Sequence, residues 1–166
     1  MKIVRVNELA DTDRAVMFNG GTSLRAVLKS DNVGFAMTKT LIAKGGPYHW
    51  HYTNHFEACY CIKGKGELTD LKTGLKVLIV PDMVYILDNH DDHTFEALED
   101  TVLISVFNPP LTGKETHDKN GHYELDELSL YHKSKEIAEL CFSKNNIYDA
   151  AEAVADYLTT NQIKEA

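Results

Sequence analysis

The chain has 166 residues, 43% hydrophobic and 25% charged, the balance of one ordinary globular domain with a core of its own. Seventeen basic against 25 acidic residues leave a formal charge of −8. Such a surface repels phosphate backbones and anionic bilayers, so neither nucleic acid nor membrane is an expected partner. No apolar run approaches the roughly 18 residues that span a bilayer, and the N-terminus lacks the apolar core and cleavage site of a signal peptide. Cys59, Cys61 and Cys141 form no CxxC pair, and the first two are too close for an unstrained bridge. A reducing, cytoplasmic compartment is expected.

In chain order, Met1 to Asn7 has a short, mixed-charge strand pattern, and a helical turn is expected near Asn7 to Asp13. From Val4 to about Phe107, turn signals at Gly20-Gly21, Gly45-Gly46-Pro47, Lys72-Thr73-Gly74 and Asp88-Asn89 separate β-rich stretches. These are Arg25 to Leu28, Phe35 to Ala43, Ala58 to Leu68, Lys76 to Val80 and Thr101 to Phe107. Many short strands without long helices between them predict a sandwich or barrel, not a parallel α/β sheet. After Asn108-Pro109-Pro110 the character changes, and residues 111 to 124 read as a polar loop. Ser134 is placed to cap a short helix carrying Ile137, Leu140 and Cys141, and Asn145 or Asn146 a longer one. On the longer one Ile147, Ala151, Val154 and Leu158 recur at helical spacing. That stripe packs on the chain's own barrel, reaches a partner, or covers an active site.

Five of the eight histidines, His49, His51, His55, His90 and His93, share one window with Glu57, Tyr85, Asp88, Asp91 and Asp92. Imidazole is the commonest protein metal ligand, and carboxylates add hard oxygen donors. Alternation puts His49 and His51 on one face of a strand, and Glu57, Cys59 and Cys61 on one face of the next. A turn at Thr53-Asn54 brings the two groups together, and Tyr85 to His93 come from a neighbouring hairpin. Singly, each has a plainer reading: the His-x-His as packing, the cysteines as small buried hydrophobes, the aspartates as a solvated turn. Together they approach the two-part metal motif of cupins, with a carboxylate six residues after His51 and a further His 36 residues on. Gly64 falls where the first motif has its glycine. The second motif is looser, because Pro81-Asp82-Met83 lacks the usual glycine and the next metal-type residue is Tyr85.

Three segments make the resemblance specific. His49-Trp50-His51-Tyr52-Thr53-Asn54-His55-Phe56-Glu57-Ala58-Cys59-Tyr60-Cys61-Ile62-Lys63-Gly64 resembles the ectoine synthase family. So do Tyr85-Ile86-Leu87-Asp88-Asn89-His90-Asp91-Asp92-His93 and Val106-Phe107-Asn108-Pro109-Pro110-Leu111-Thr112-Gly113-Lys114-Glu115-Thr116-His117-Asp118, and Thr12-Asp13-Arg14 also fits. Generic cupins do not share the Asn-Pro-Pro-Leu-Thr-Gly run. The resemblance covers roughly residues 1–125. It implies a mainly β cupin (double-stranded β-helix or jelly-roll) domain over 1–125; the helical C-terminal extension read from periodicity, 126–166, lies outside the usual family pattern. It further implies a homodimer, a small-molecule substrate and one catalytic Fe(II) held by Glu57, Tyr85 and His93. His49 and His51, which cupin spacing alone selects, then become supporting residues. Substrate contacts are implied at Arg25, Thr40, Tyr52, Phe107, Glu115 and His117. Three pocket positions depart from the family: Gly21 stands where it has Trp, Thr38 where it has Asn, and Ser105 where it has Cys. Gly21 is expected to leave the pocket roomier, or to leave it completed by another group such as Tyr148 or Tyr157.

The implied reaction closes N-γ-acetyl-L-2,4-diaminobutyrate into ectoine, a compatible solute, with loss of water. The α-amine attacks the acetamide carbon, so the amide oxygen needs a Lewis acid and the amine a base. Glu115 and Tyr52 are the candidate bases, with His117 carrying the proton to the leaving hydroxyl. Arg25 suits the substrate carboxylate, its plainer reading being a surface salt bridge. Two readings of other classes remain. One is a different metal-dependent cupin lyase or oxygenase acting on a related small molecule, favoured by the pocket changes. The other is a non-catalytic metabolite-binding cupin, against which the retained Glu57, Tyr85, His93 and Glu115 argue.

Overall fold

Strand periodicity is cleanest in Thr101–Asn108, where Thr101, Leu103, Ser105 and Phe107 are buried and Val102, Ile104 and Val106 half-buried. Such a segment lays one face on a core and turns the other outward. The computed structural model describes residues 1–118, 121–123, 137–141, 144 and 147–160, with no side-chain description at 147 and 157–160. The chain divides into two compact units, Met1–Glu124 and Leu125–Ala166.

The first unit is built from β1 (Ala15–Phe18), β2 (Gly21–Val27), β3 (Ala36–Ile42), β4 (Gly45–Trp50) and β5 (Phe56–Lys63). It continues with β6 (Gly66–Asp70), β7 (Lys76–Ile79), β8 (Val84–Leu87), β9 (His93–Ala97) and β10 (Thr101–Asn108). Six strands form one sheet in the order β1-β2-β3-β10-β5-β8, and four form another, β4-β9-β6-β7. All pairings are antiparallel. Ile42, Cys61 and Leu103 of the first sheet and Trp50, Ile79 and Phe95 of the second belong to one buried cluster. The expected mainly β cupin barrel is therefore present: two sheets share one apolar core, as sheets with one apolar face must.

Local chemistry corrects several expectations. Met1 to Asn7 forms no strand; its first regular element is a 3-10 helix, Val6–Leu9, with no buried residue to hold an extended segment on the core. The expected turn at Gly45-Gly46-Pro47 lies inside β4, where Gly45 and Gly46 at φ +140° and +105° accompany a register shift against β9. Glycine and proline mark a bulge there, not a chain reversal. The stretch Ala58 to Leu68 breaks at Gly64, φ +91°, sending β5 and β6 into different sheets. Strands β1, β8 and β9 were not distinct in the sequence.

In the second unit, residues 137–141 are helical, and a further helix runs Ile147–Thr160. Its less exposed described positions are Ala150, Ala153 and Val154, while Ala151 is exposed. Of the expected stripe, Val154 is half-buried and Ala151 exposed. The caps expected at Ser134 and at Asn145 or Asn146 lie outside the described residues, as do the side chains of Ile147, Tyr157 and Leu158.

Candidate active site

A small cavity, open to solvent on one side, lies against the inner face of the six-stranded sheet. Its floor is laid by three adjacent strands in register: Thr40 pairs with Leu103, and Ser105 with Cys59. Glu57 on β5 pairs with Phe107 on β10 and Leu87 on β8, so one row of the sheet presents a carboxyl beside an aromatic ring. Tyr85 lies opposite Cys59 on the edge strand β8. Thr40, Glu57, Tyr85, Ser105 and Phe107 all line the cavity.

The second sheet and the segment after β10 close it. At the end of β4, Trp50 is buried and His49 before it is exposed, while His51, half-buried, follows the strand. Neither histidine lines the cavity. His49 Nε2 meets Asp92, and His51 Nε2 donates to the His90 carbonyl at 2.9 Å. The turn at Thr53-Asn54 carries the chain from one sheet to the other and leaves Tyr52 on the cavity wall. Tyr52 Oη lies 2.9 Å from His117 Nε2, and the Tyr52 ring packs 4.7 Å from Tyr123. His117 and Tyr123 form a small bridge, and both line the cavity.

A row of polar groups crosses the sheet floor. Cys59 Sγ donates to Glu57 Oε1 at 3.1 Å and lies 3.3 Å from Ser105 Oγ. Ser105 Oγ is 3.2 Å from Thr40 Oγ1, which is 3.1 Å from Thr38 Oγ1. Burial pushes the Glu57 carboxyl up to about 7, against hydrogen bonds from Cys59 and Ser105 that favour its charged form. Burial likewise raises the Tyr85 phenol well above its ordinary range, with Cys59 and Glu57 adding to the rise. Tyr52 is raised for the same first reason.

His93 on β9 is 1% exposed. Its Nδ1 is 2.9 Å from the Asp91 carbonyl, which can only accept, so Nδ1 carries the proton. Nε2 then offers a lone pair, and it is buried without a partner. That pattern, one nitrogen oriented by a carbonyl and the other left bare, suits a metal-binding imidazole. Glu57 and Tyr85 add oxygen donors, a mixed N and O set of the kind iron accepts. Among the described residues no three His, Cys, Asp or Glu side chains form a metal cage.

Arg25, Thr38, His93 and Glu115 do not line the cavity. Arg25 is fully buried, correcting its reading as a surface salt bridge. Its guanidinium donates to the Glu115 carboxylate and backbone carbonyl and sits 5.9 Å over the Tyr123 ring. Glu115 also accepts from Thr112 N, Thr112 Oγ1 and Gly113 N, at 2.6, 2.8 and 3.0 Å. Burial alone would raise its carboxyl, but hydrogen bonds led by that from the Thr112 backbone outweigh it and hold the group below its ordinary range. His117 is depressed to about 4, by burial first and the charge of Arg25 second.

Residues that sequence reasoning did not assign to the site are Phe18, Ser23, Ile42, Trp50, Leu103 and Tyr123. For Trp50 a signal was present, an apolar ring between two histidines on an alternating strand. The space expected at Gly21 is absent. A Cβ there would stand 2.9 Å from Phe18 Cζ and 2.0 Å from the Leu41 carbonyl oxygen.

A family model described as ectoine synthase matches residues 1–127. The chain is 43% identical over 125 residues to an L-ectoine synthase of Halalkalibacterium halodurans, covering 75% of this chain and 97% of that protein. It is 47% identical over 127 residues to one of Desulfosudis oleivorans, covering 75% and 98%. Among solved structures it is similar to ectoine synthase from P. lautus, with TM-score 0.65 and 38% identity over 68% of this chain and 81% of that one. A protein from Planctomyces limnophilus shares the fold at 17% identity and TM-score 0.53, over 67% of this chain and 90% of that one. With matches of this extent over the unit that carries the cavity, the chain belongs to the ectoine synthase family of hydro-lyases.

Proposed function

We propose that the chain closes N-γ-acetyl-L-2,4-diaminobutyrate to ectoine with loss of water. The observation that carries this reading is one cavity lined by the Glu57 carboxyl, the Tyr85 phenol and the Tyr52–His117 pair, in a chain of this family. Glu57, Tyr85 and His93 would hold Fe(II), which supplies Lewis acidity toward the acetamide oxygen. The enclosed walls favour the folded conformer in which the α-amine faces the acetamide carbon. That amine must shed a proton to attack. That first proton goes to water; His117, neutral near pH 7, a weak base at about 4 and joined to Tyr52, then relays protons from the attacking nitrogen, acidified once it is bonded to carbon, to the departing oxygen, which leaves as water. Glu115, saturated by donors and bound to Arg25, serves in this reading to hold Arg25, Tyr123 and the 112–117 segment in place.

Incubation with the acetylated diamino acid under anaerobic Fe(II), followed by NMR, tests the reaction; ectoine is the expected product. Turnover of a different amino-acid derivative, with no ectoine formed, would assign the chain to another lyase activity. Glu57→Gln, Tyr85→Phe and His93→Ala are each expected to lower bound iron sharply. Full iron occupancy in all three would exclude this ligand set.

We further infer a homodimer in a reducing, cytoplasmic setting. The outer face of β5 and β8 exposes Phe56, Tyr60, Ile62, Val84 and Ile86, a contiguous apolar surface suited to a second copy. The three cysteines are free.

A further inference from the structure

Phe18, Gly21 and Ile42 form a row across β1, β2 and β3, because Phe18 pairs with Gly21 and Gly21 with Ile42. Directly opposed residues of antiparallel strands present their side chains to the same face. Phe18 and Ile42 both line the cavity, and Gly21 between them contributes nothing to it. The Phe18 ring has folded over that gap, its tip 2.9 Å from where a Gly21 Cβ would stand. It meets Trp50 edge-on at 5.6 Å and His117 at 5.5 Å. The hairpin that carries Phe18 is braced: the Gly20 carbonyl accepts from Ala43 N at 2.8 Å, and a Cβ on Gly20 would strike the Tyr48 ring at 2.5 Å. Two successive glycines therefore let the β1–β2 hairpin lie close enough for Phe18 to reach the cavity.

Phe18, Ile42 and Trp50 make this corner of the cavity apolar. The proposed substrate ends in an ammonium, a carboxylate and an acetamide, so its one terminal apolar group is the acetyl methyl. Resting on the cyclisation reading above, we propose that Phe18 is a specificity-determining wall of the cavity, seated there by the missing side chain of Gly21, and that it limits the size of the acyl group accepted. A methylene in an apolar pocket discriminates by about 10- to 200-fold, so truncating the wall has a readable effect.

Steady-state kinetics on the iron-loaded chain with N-γ-acetyl, N-γ-propionyl and N-γ-butyryl diaminobutyrate tests this. The unaltered chain is expected to prefer acetyl. Phe18→Ala is expected to raise KM for the acetyl substrate about tenfold with kcat within about twofold, and to move kcat/KM about tenfold or more toward the longer acyl groups. Phe18→Leu, a milder change of volume, is expected to move the same preference part of the way and covers the case in which Phe18→Ala does not fold. An unchanged acyl preference in the folded variants overturns the assignment. So does an equal fall in kcat for all three substrates at constant KM, which would place Phe18 behind His117 as a positioning residue. Absence of ectoine from the unaltered chain is a separate result and removes the cyclisation reading itself.

Discussion

The guanidinium of Arg25 and the carboxylate of Glu115, 90 residues apart in sequence, form a buried ion pair with Nη1 3.4 Å from Oε2. Neither charge reaches water, since their side chains are 1% and 5% exposed. Removing one partner of such a pair leaves the other uncompensated, which costs about 3–5 kcal/mol. Arg25→Met is expected to destabilise by that order in urea unfolding. The double variant Arg25→Met, Glu115→Gln should lose less than the sum of the singles. Additive losses would show that the two groups are not coupled.

His117 gives a pH dependence with a definite sign. Its ordinary value is 6.5 and its folded value about 4. Between these the unfolded chain binds more protons, so stability rises with pH across that window and is lost as pH falls from 6.5 toward 4. The full effect is at most about 3 kcal/mol, from a shift worth about 1.4 kcal/mol per pH unit. His117→Gln should flatten that part of the stability profile while leaving the region above pH 7 nearly parallel to the unaltered chain. A profile that keeps its slope would assign the acid loss to other groups.

Gly21 tolerates no side chain in this backbone. The nearest obstacle to a Cβ is the Leu41 carbonyl oxygen at 2.0 Å, which belongs to the β2–β3 ladder and cannot swing aside. Gly21→Ala should destabilise by about 1–3 kcal/mol, the usual range for overpacking, and Gly21→Trp by more. Thermal melts measure this; an unshifted midpoint for Gly21→Ala would show that the hairpin has room to open.

The apolar face of β5 and β8 predicts assembly. Ile86 pairs with Ala58 and Val84 with Tyr60, so the exposed side chains of both strands stand together. The unaltered chain is expected to scatter light as a dimer, and Ile86→Lys with Val84→Lys as a monomer, with secondary structure retained. A dimer that persists would move the interface elsewhere.

The architecture was legible where one strand face is apolar and the other is not, as in β10, and where turn residues punctuate it, as at Gly74. It was less legible where glycine and proline serve a bulge, since the Gly45-Gly46-Pro47 signal is the same for a bulge and a reversal. Strand β8 is short and lies at a sheet edge with Val84 and Ile86 exposed, so its pattern carries little contrast. The direction of β4 is a question of parity: Trp50 inward turns His49 outward, and a sequence with aromatic and imidazole groups at alternate positions allows either. For Arg25 the sequence allows a substrate carboxylate or a surface salt bridge, and the buried partner Glu115 is not legible because it lies 90 residues away. Leu24, Arg25 and Ala26 are all buried, so β2 is covered on both faces at that point. Phe18 was overlooked because a wall residue gives no chemical signal until the strand opposite it is known.

The tryptophan on β4 is the chain's only one. It lines the cavity and stands within 6.3 Å, ring centre to ring centre, of Tyr48, Phe95 and His117 in stacked orientation. All indole emission from this protein therefore originates at the wall of the site. A ligand entering the cavity changes the polarity around that ring, and a protonated imidazole beside an indole quenches it. One unlabelled fluorescence signal thus reports occupancy at neutral pH and, in acid, the charge state of the two imidazoles 6.2 Å from the indole, His117 and His93. In the His117→Gln variant the first response should survive and the acid quench should shrink to the part that His93 supplies.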